Sequence, residues 1–376
     1  MRSNPLNSSR SFVSLATISA LILITISILA GCSDSEAEKS MSNILGDTTA
    51  SYSEVRPDTR IVFPSDHLSH PSFRQEWWYL TANLKTETGK PIGIQWTQFR
   101  MAMSADIGKP EQTEGWATNQ LYLAHTAVTT EEVHLANEKW SRAHPKFAAV
   151  TANPLTIKLD NWKWQAKGDD LFPALLTVES DRFNYQLSLT SHRPLQRQGE
   201  NGFSRKSADG KVASHYYSQP FIEVKGEIEL DGELLSVTGT AWLDREWSSQ
   251  FLTGSQQGWD WFALRLNDGS TLMLFQLRES NGEQPGFYSA RRMYPDGRGE
   301  NIASSEITMK PSEFHQIDEA RYPVAWNIVI PNQRIDLNVR ALNMEAKMPL
   351  SIPYWEGPVF FNGSHSGEGY MELTGY

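Results

Sequence analysis

The chain has 376 residues, with 44 Asp and Glu against 34 Lys and Arg, nine His, 13 Trp and one Cys. That length suits two domains or one large β domain, and a single cysteine excludes an intramolecular disulfide, a Cys-cluster zinc site and a dithiol redox pair. A net charge of −10 with no Lys/Arg-rich run argues against nucleic acid as a partner, while the tryptophans point to large aromatic cores or an aromatic-lined cavity.

At the N-terminus Arg2 and Arg10 precede an uncharged apolar stretch over residues 15–30, short for a membrane-spanning helix and right for the core of a signal peptide. The stretch ends in Leu29-Ala30-Gly31-Cys32, which resembles a bacterial lipobox, and the chain's one cysteine stands where that motif needs it. Residues 1–31 therefore read as a lipoprotein signal peptide and Cys32 as the lipidated first residue of the mature chain. More than one acyl chain gives stable anchoring. Ser33, in place of the Asp that retains lipoproteins at the inner membrane, points to the periplasmic face of the outer membrane. Residues 32–58 are small, polar and acidic, and predict a flexible tether.

Beyond about residue 60 the pattern becomes short period-two segments, the signature of half-buried strands: Trp78-Leu80-Ala82-Leu84, Ile94-Trp96, Leu121-Leu123, Leu187-Leu189 and Leu264-Leu266. Turn signals separate them at Thr88-Gly89, Asp231-Gly232, Asn267-Asp268-Gly269 and Pro295-Asp296-Gly297. Short helices are expected only around 130–137 or 312–320. An internal repeat sets the architecture. Trp77-Trp78-Tyr79-Leu80-Thr81-Ala82-Asn83-Leu84, a turn at Gly89 and Thr97-Gln98-Phe99-Arg100 are echoed by Trp259-Asp260-Trp261-Phe262-Ala263-Leu264-Arg265-Leu266, a turn at Gly269 and Phe275-Gln276-Leu277-Arg278. A second echo links Val237-Thr238-Gly239 with Leu373-Thr374-Gly375. The expectation is an all-β protein of two tandem antiparallel β-barrel domains, residues 59–247 and 248–376, each able to hold one apolar ligand.

For chemistry, the chain has no Gly-x-Ser-x-Gly elbow, P-loop, Rossmann fingerprint or His-Glu-x-x-His. His67 and His70 form a His-x-x-His pair near Asp66 and Glu76, too sparse a ligand set to predict a metal. The richer stretch is Thr240-Ala241-Trp242-Leu243-Asp244-Arg245-Glu246-Trp247-Ser248-Ser249. On an extended chain Trp242, Asp244 and Glu246 share one face, and Leu243, Arg245 and Trp247 the other. An Arg245–carboxylate bridge locking the domain junction is one reading. The other adds Ser214-His215-Tyr216-Tyr217-Ser218. If that strand pairs beside 237–244, one wall presents His215, Tyr217, Trp242 and Asp244. There a desolvated Asp244 could hold a proton near neutrality and protonate a carbon–carbon double bond. Aromatic faces would steady the carbocation, and a neutral His215 would deprotonate the attacking water. Plain aromatic core packing would use the same residues.

Several blocks resemble the AttH-like branch of the carotenoid 1,2-hydratase (hydroxyneurosporene synthase) lipocalin-like family: Phe63-Pro64-Ser65-Asp66-His67, Phe73-Arg74-Gln75-Glu76-Trp77-Trp78-Tyr79, Phe203-Ser204-Arg205-Lys206, His215-Tyr216-Tyr217-Ser218, Trp242-Leu243-Asp244-Arg245-Glu246-Trp247-Ser248 and Gly258-Trp259-Asp260-Trp261-Phe262. The resemblance implies two lipocalin-like β-barrel domains and cofactor-independent chemistry. The hydratase acid/base pattern would fall on His215, Tyr217, Trp242 and Asp244, with Tyr and Trp exchanged relative to the hydratases. AttH-like members are associated with ABC-type export, and many relatives carry a secreted-hydrolase label. The resulting expectation is an envelope-anchored protein that binds or transfers an apolar, lipid or isoprenoid-like small molecule beside an ABC transporter. The alternative is a hydratase or secreted hydrolase with Asp244 as general acid. Barrels filled by their own side chains would leave a structural role. Trp78, Trp96, Arg100, Arg245 and Glu246 are the candidate ligand contacts.

Overall fold

The computed structural model describes Met1 and residues 51–105, 118–280 and 286–376. The predicted signal peptide, the Cys32 lipidation site and most of the tether lie outside the described residues. No helix among the described residues is long and apolar enough to cross a membrane.

The body is two curled antiparallel sheets. The first contains β1 (Gln75–Thr86), β2 (Pro91–Ala102), β3 (Gln120–Thr129), β4 (His134–Arg142), β5 (Ala148–Thr151), β6 (Thr156–Leu159), β7 (Trp162–Ala166), β8 (Ala174–Glu179) and β9 (Phe183–Thr190). It also takes the short β10 (Gln196–Arg197) and β11 (Phe203–Arg205) and the long hairpin of β12 (Ala213–Leu230) and β13 (Glu233–Ser248). The second contains β14 (Gln256–Leu266), β15 (Thr271–Glu279), β16 (Phe287–Met293), β17 (Gly299–Ile302), β18 (Thr308–Ile317) and β19 (Ala320–Ile330). It is completed by β20 (Ile335–Ala341), β21 (Lys347–Met348), β22 (Tyr354–Gly363) and β23 (Gly367–Leu373). One sheet is a nearly closed barrel and the other a half-barrel. In the first, β6 near one end of the sheet packs back against β2, β3 and β4 at the other.

Neither region expected as a short helix is helical: 130–137 is a turn leading into β4, and 312–320 is the end of β18 and the turn after it. Their few apolar side chains pack on a neighbouring strand, and pairing with β3 and β19 supplies the backbone hydrogen bonds that a helix would have made internally.

The aromatic-opened repeat is structural. β1 lies between β2 and β13, and β14 lies between β15 and β23, so each repeat copy sits beside the last strand of its own sheet. Registers agree: Trp77 faces Phe99 and Trp259 faces Leu277, while Arg100 lies opposite Glu76 and Arg278 opposite Gly258. The Thr-Gly echo is not equivalent. Thr238 pairs with Lys85 at the far end of β1, whereas Thr374 lies beside Trp259 at the start of β14.

Alternation along β1 sends Trp78, Leu80, Ala82 and Leu84 into the first barrel. There they meet Trp96, Trp162 and Trp164, all fully buried, with the Trp96 and Trp164 rings 6.1 Å apart. The barrel is thus filled by its own side chains. Phe262, Trp326 and Trp355 do the same for the second sheet. The other face of β1, carrying Trp77 and Tyr79, turns toward the second sheet. A third aromatic cluster there joins Tyr79, Tyr216 and Trp242 to Trp261, Phe275 and Tyr370. The sheets are held together by Tyr79 Oη donating to Glu356 (2.5 Å), Asn83 to the Gly369 carbonyl (3.0 Å) and Arg265 to the Pro220 carbonyl (2.5 Å). Gly93 is required at this contact, since a Cβ there would lie 2.5 Å from Tyr370 Oη and 2.6 Å from a Pro358 ring carbon.

Candidate active site

A cleft opens between the sheets. The first sheet lines it with Trp77, Tyr79, Thr97, Phe99, Tyr216, Asp244 and Glu246, and the second with Trp259, Trp261, Phe275, Leu277, Tyr354 and Glu372. Lys206 and the inter-sheet connector residues Phe251 and Leu252 complete the lining. Its volume is about 80 Å³, by the measure in which one water needs about 10–15 Å³. That leaves room for several waters or the reacting end of an apolar ligand.

Asp244 is the chemical centre of the first wall. Cross-strand register places it between Tyr79 on β1 and Ser218 on β12. Trp242 Nε1 donates to its Oδ1 at 2.7 Å, Ser218 Oγ donates to the same oxygen, and Tyr216 Oη lies 2.5 Å from Oδ2. Burial pushes its pKa up to about 7, although these three donors work in the opposite direction. An indole N–H can only donate, so Oδ1 is the accepting oxygen and the proton of the neutral acid belongs on Oδ2, against the Tyr216 hydroxyl.

Beside it Glu246 is paired with Lys206 at 2.7 Å and accepts from Ser214 Oγ. The Lys206 ammonium also lies 4.5 Å from the Phe275 ring centroid and 5.2 Å from that of Tyr216. On the second wall Glu372 accepts from Trp259 Nε1 at 2.7 Å. Burial raises its pKa to about 7, and the charges of Asp244 and Glu246 act in the same direction. Its direct cross-strand neighbour is Glu356, whose pKa burial and the Glu372 charge push well above the usual range.

The predicted wall of His215, Tyr217, Trp242 and Asp244 does not form. β12 does pair with β13, but His215 faces Trp247 and Tyr217 faces Arg245 on the barrel side, while Tyr216 and Ser218 share the face of Glu246 and Asp244. The cause is a β-bulge in which Pro220 and Phe221 together oppose Trp242. One extra residue reverses which side chains reach each face. His215 is buried with neither ring nitrogen hydrogen-bonded. It sits against Phe73 and Trp247, and burial lowers its pKa to about 4. Tyr217 Oη instead meets His67 Nδ1 at 2.7 Å.

Of the candidate ligand contacts, only Glu246 lines the cleft. Trp78 and Trp96 are barrel core. Arg100 and Arg245 both bind Glu76, all three fully buried, and Arg245 also stacks 3.9 Å from the Trp78 centroid. Burial alone would raise the Glu76 carboxyl, but the two guanidinium groups hold it well below the usual carboxylate range. The Arg245–carboxylate bridge anticipated from sequence forms, with Glu76 as its carboxylate, but it joins β1 to β13 within the first sheet and does not lock the junction between the halves. His70 joins this network, 3.1 Å from Glu76, and His67 reaches Asp170 at 3.0 Å. Sequence reasoning missed Tyr79, Tyr216, Lys206 and Glu372. Tyr216 stood inside the quoted His215–Ser218 block, one residue out of phase. Glu372, an acid between Met371 and Leu373 in a late apolar strand, was the one signal available for the second wall.

Two lipocalin-like sheets with a carboxyl-bearing aromatic cleft between them define an all-β protein of the lipocalin-like class. The chain belongs to the AttH-like family, whose model matches residues 54–376. It is similar, at 34% identity and a TM-score of 0.75, to the crystal structure of an AttH-type protein from Nitrosomonas europaea, the match covering 86% of this chain and 99% of that one. Kievitone hydratase from Nectria haematococca shares the fold at 11% identity and a TM-score of 0.65, over 86% of this chain and 96% of its own. CghA does so at 12% identity and a TM-score of 0.51, over 89% and 97%. No curated protein matches.

Proposed function

We propose that the protein is a cofactor-independent, hydratase-type enzyme that adds water to a carbon–carbon double bond of an apolar, isoprenoid-like molecule, with Asp244 as the proton donor. The observation that carries this reading is a buried carboxyl at the wall of an aromatic cleft, its pKa raised by desolvation to about 7 so that it can still carry a proton near neutrality. Proton transfer from Oδ2 to the less substituted alkene carbon leaves a tertiary cation. The faces of Tyr79, Tyr216, Trp259 and Trp261 can each steady it by ~1–2 kcal/mol in a dry site. Water then adds to the cationic carbon and loses a proton. One fold neighbour is named a hydratase, which supports the reaction class by analogy of fold alone.

The same reading takes a Cys32 lipid anchor as the address and an ABC-type exporter as the neighbour that delivers or receives the ligand. Incubation with geraniol, farnesol or squalene in water enriched in heavy oxygen tests the chemistry. The expected product is a tertiary alcohol carrying the label, formed by the wild type and not by Asp244→Asn. Saturable binding of these probes without label in any product would reject hydration and leave ligand carriage as the function.

A further inference from the structure

The two halves of the site are related by the internal repeat, and that relation identifies a second reactive group. Tyr79 and Trp261 are equivalent positions of the two repeat copies, and their rings meet edge to face 5.3 Å apart across the cleft. The residue directly opposite Tyr79 on β13 is Asp244, and the residue directly opposite Trp261 on β23 is Glu372. Each carboxylate accepts a hydrogen bond from a tryptophan indole, Trp242 for one and Trp259 for the other. Each half therefore presents one acid to the same cleft from corresponding places, Asp244 buried and Glu372 half-buried.

Their immediate surroundings differ. The neighbour of Asp244 on the next strand is a serine, Ser218. At the matching position Glu372 faces a second carboxylate, Glu356, which accepts from Tyr79 Oη. Among the described residues neither glutamate makes an ion pair, and Lys206, the cation lining the cleft, is engaged by Glu246. Like charges directly opposite on neighbouring strands repel, and no cation neutralises these two, so the pair is most stable with one carboxyl protonated; that one is Glu356, which is fully buried and whose Oε2 has no hydrogen-bond partner. Such a pair keeps one oxygen basic while the other carboxyl stays neutral.

We propose that Glu372, ionised beside a protonated Glu356, is the general base that takes the proton from the attacking water, opposite the Asp244 acid. The inference rests on the hydration reading above. In the forward step the Asp244 Oδ2–H bond breaks as the alkene carbon gains that hydrogen. The water oxygen bonds to the cationic carbon, and the proton it loses goes to Glu372. Asp244 is then ionised and the glutamate pair fully protonated. Proton return from the pair to Asp244 through cleft water restores the starting state, so one alkene and one water become one alcohol with no other reactant. Glu356 is a positioning residue, acting through Glu372.

Two measurements test this on the full chain. With geraniol, farnesol and squalene as probes, Glu372→Gln lowers kcat roughly 10²–10⁴-fold with KM nearly unchanged. It also removes the acid limb of the pH profile, and Glu372→Asp restores part of the rate. The groups facing Glu372 and able to contribute to that profile are Asp244, Glu246, Lys206, Tyr79, Tyr216, Glu356 and Tyr354. Loss of turnover in Asp244→Asn with normal kcat and pH profile in Glu372→Gln overturns the base and leaves hydration standing. Absence of turnover by the wild type on every probe sinks hydration, and the base role with it.

The second measurement needs no substrate. Infrared absorption of protonated carboxyls at pH 7 falls by one carboxyl per chain in the Glu356→Gln/Glu372→Gln double variant. An unchanged band means both were ionised, and loss of two means both were neutral. Either result overturns the singly protonated pair.

Discussion

Replacing Asp244 with Asn gives the sharpest energetic test of the site. An amide mimics the neutral acid: its Oδ1 keeps the Trp242 and Ser218 donors, and its Nδ2 can donate to Tyr216 Oη. The native carboxyl titrates near 3.8 when unfolded and about 7 when folded. Below the lower value both states are protonated and the site costs nothing. As pH rises toward 7 the unfolded chain releases its proton while the folded chain holds it, so stability declines by roughly 1.4 kcal/mol per pH unit. Above about pH 7 the full penalty, on the order of 4 kcal/mol, is in force. Asp244→Asn removes it. In thermal melts the variant matches the wild type at pH 4 and exceeds it at pH 8.5 by several degrees, at roughly 2 °C per kcal/mol for a chain of this size. An equal difference at both pH values, or a variant weaker at pH 8.5, would refute the claim that burial holds this acid neutral.

Three further outcomes follow from the same structure. His215→Phe removes two unsatisfied buried nitrogens, so it raises stability by about 1–3 kcal/mol in urea unfolding and leaves turnover of the isoprenoid probes intact; a lost rate would return His215 to the mechanism. Glu76→Gln leaves Arg100 and Arg245 buried without their shared counter-charge and costs about 3–5 kcal/mol, read as a lower urea midpoint at unchanged slope. Cys32→Ser abolishes incorporation of labelled palmitate and moves the expressed protein from the membrane fraction to the soluble one; continued membrane association without label would contradict the lipid anchor.

Much of the fold was legible because period-two burial is a local property: Trp78, Leu80, Ala82 and Leu84 declare an inward face by sequence alone. The repeat likewise exposed the equivalence of β1 and β14. The site was harder to read, because its walls depend on the parity of one hairpin. Had β12 and β13 paired evenly back from the Asp231-Gly232 turn, His215 and Tyr217 would have shared a face with Trp242 and Asp244. The bulge at Pro220-Phe221 intervenes, and a proline there, lacking an N–H for the ladder, is the one local hint of it. Nor could alternation reveal that the hollow lies between the sheets. The number of tryptophans pointed to aromatic cores or an aromatic-lined cavity alike, and only the packing of Trp96, Trp162 and Trp164 together shows the barrel to be full. Asp244 itself was identifiable as an acid set among tryptophans, whereas its counterpart Glu372 gains meaning only once β23 is placed beside β14.

The connector between β13 and β14 contributes Phe251 and Leu252 to the lining of the cleft. The peptide that ties the halves together is therefore also part of the vessel they enclose. Two separate copies of a single half, meeting about a true twofold axis, would bring identical carboxyls into identical surroundings, with nothing to make one release a proton and the other accept it. Fusing two unlike halves into a single strand of sequence breaks that equality: one acid has a serine across from it and the other a second carboxylate.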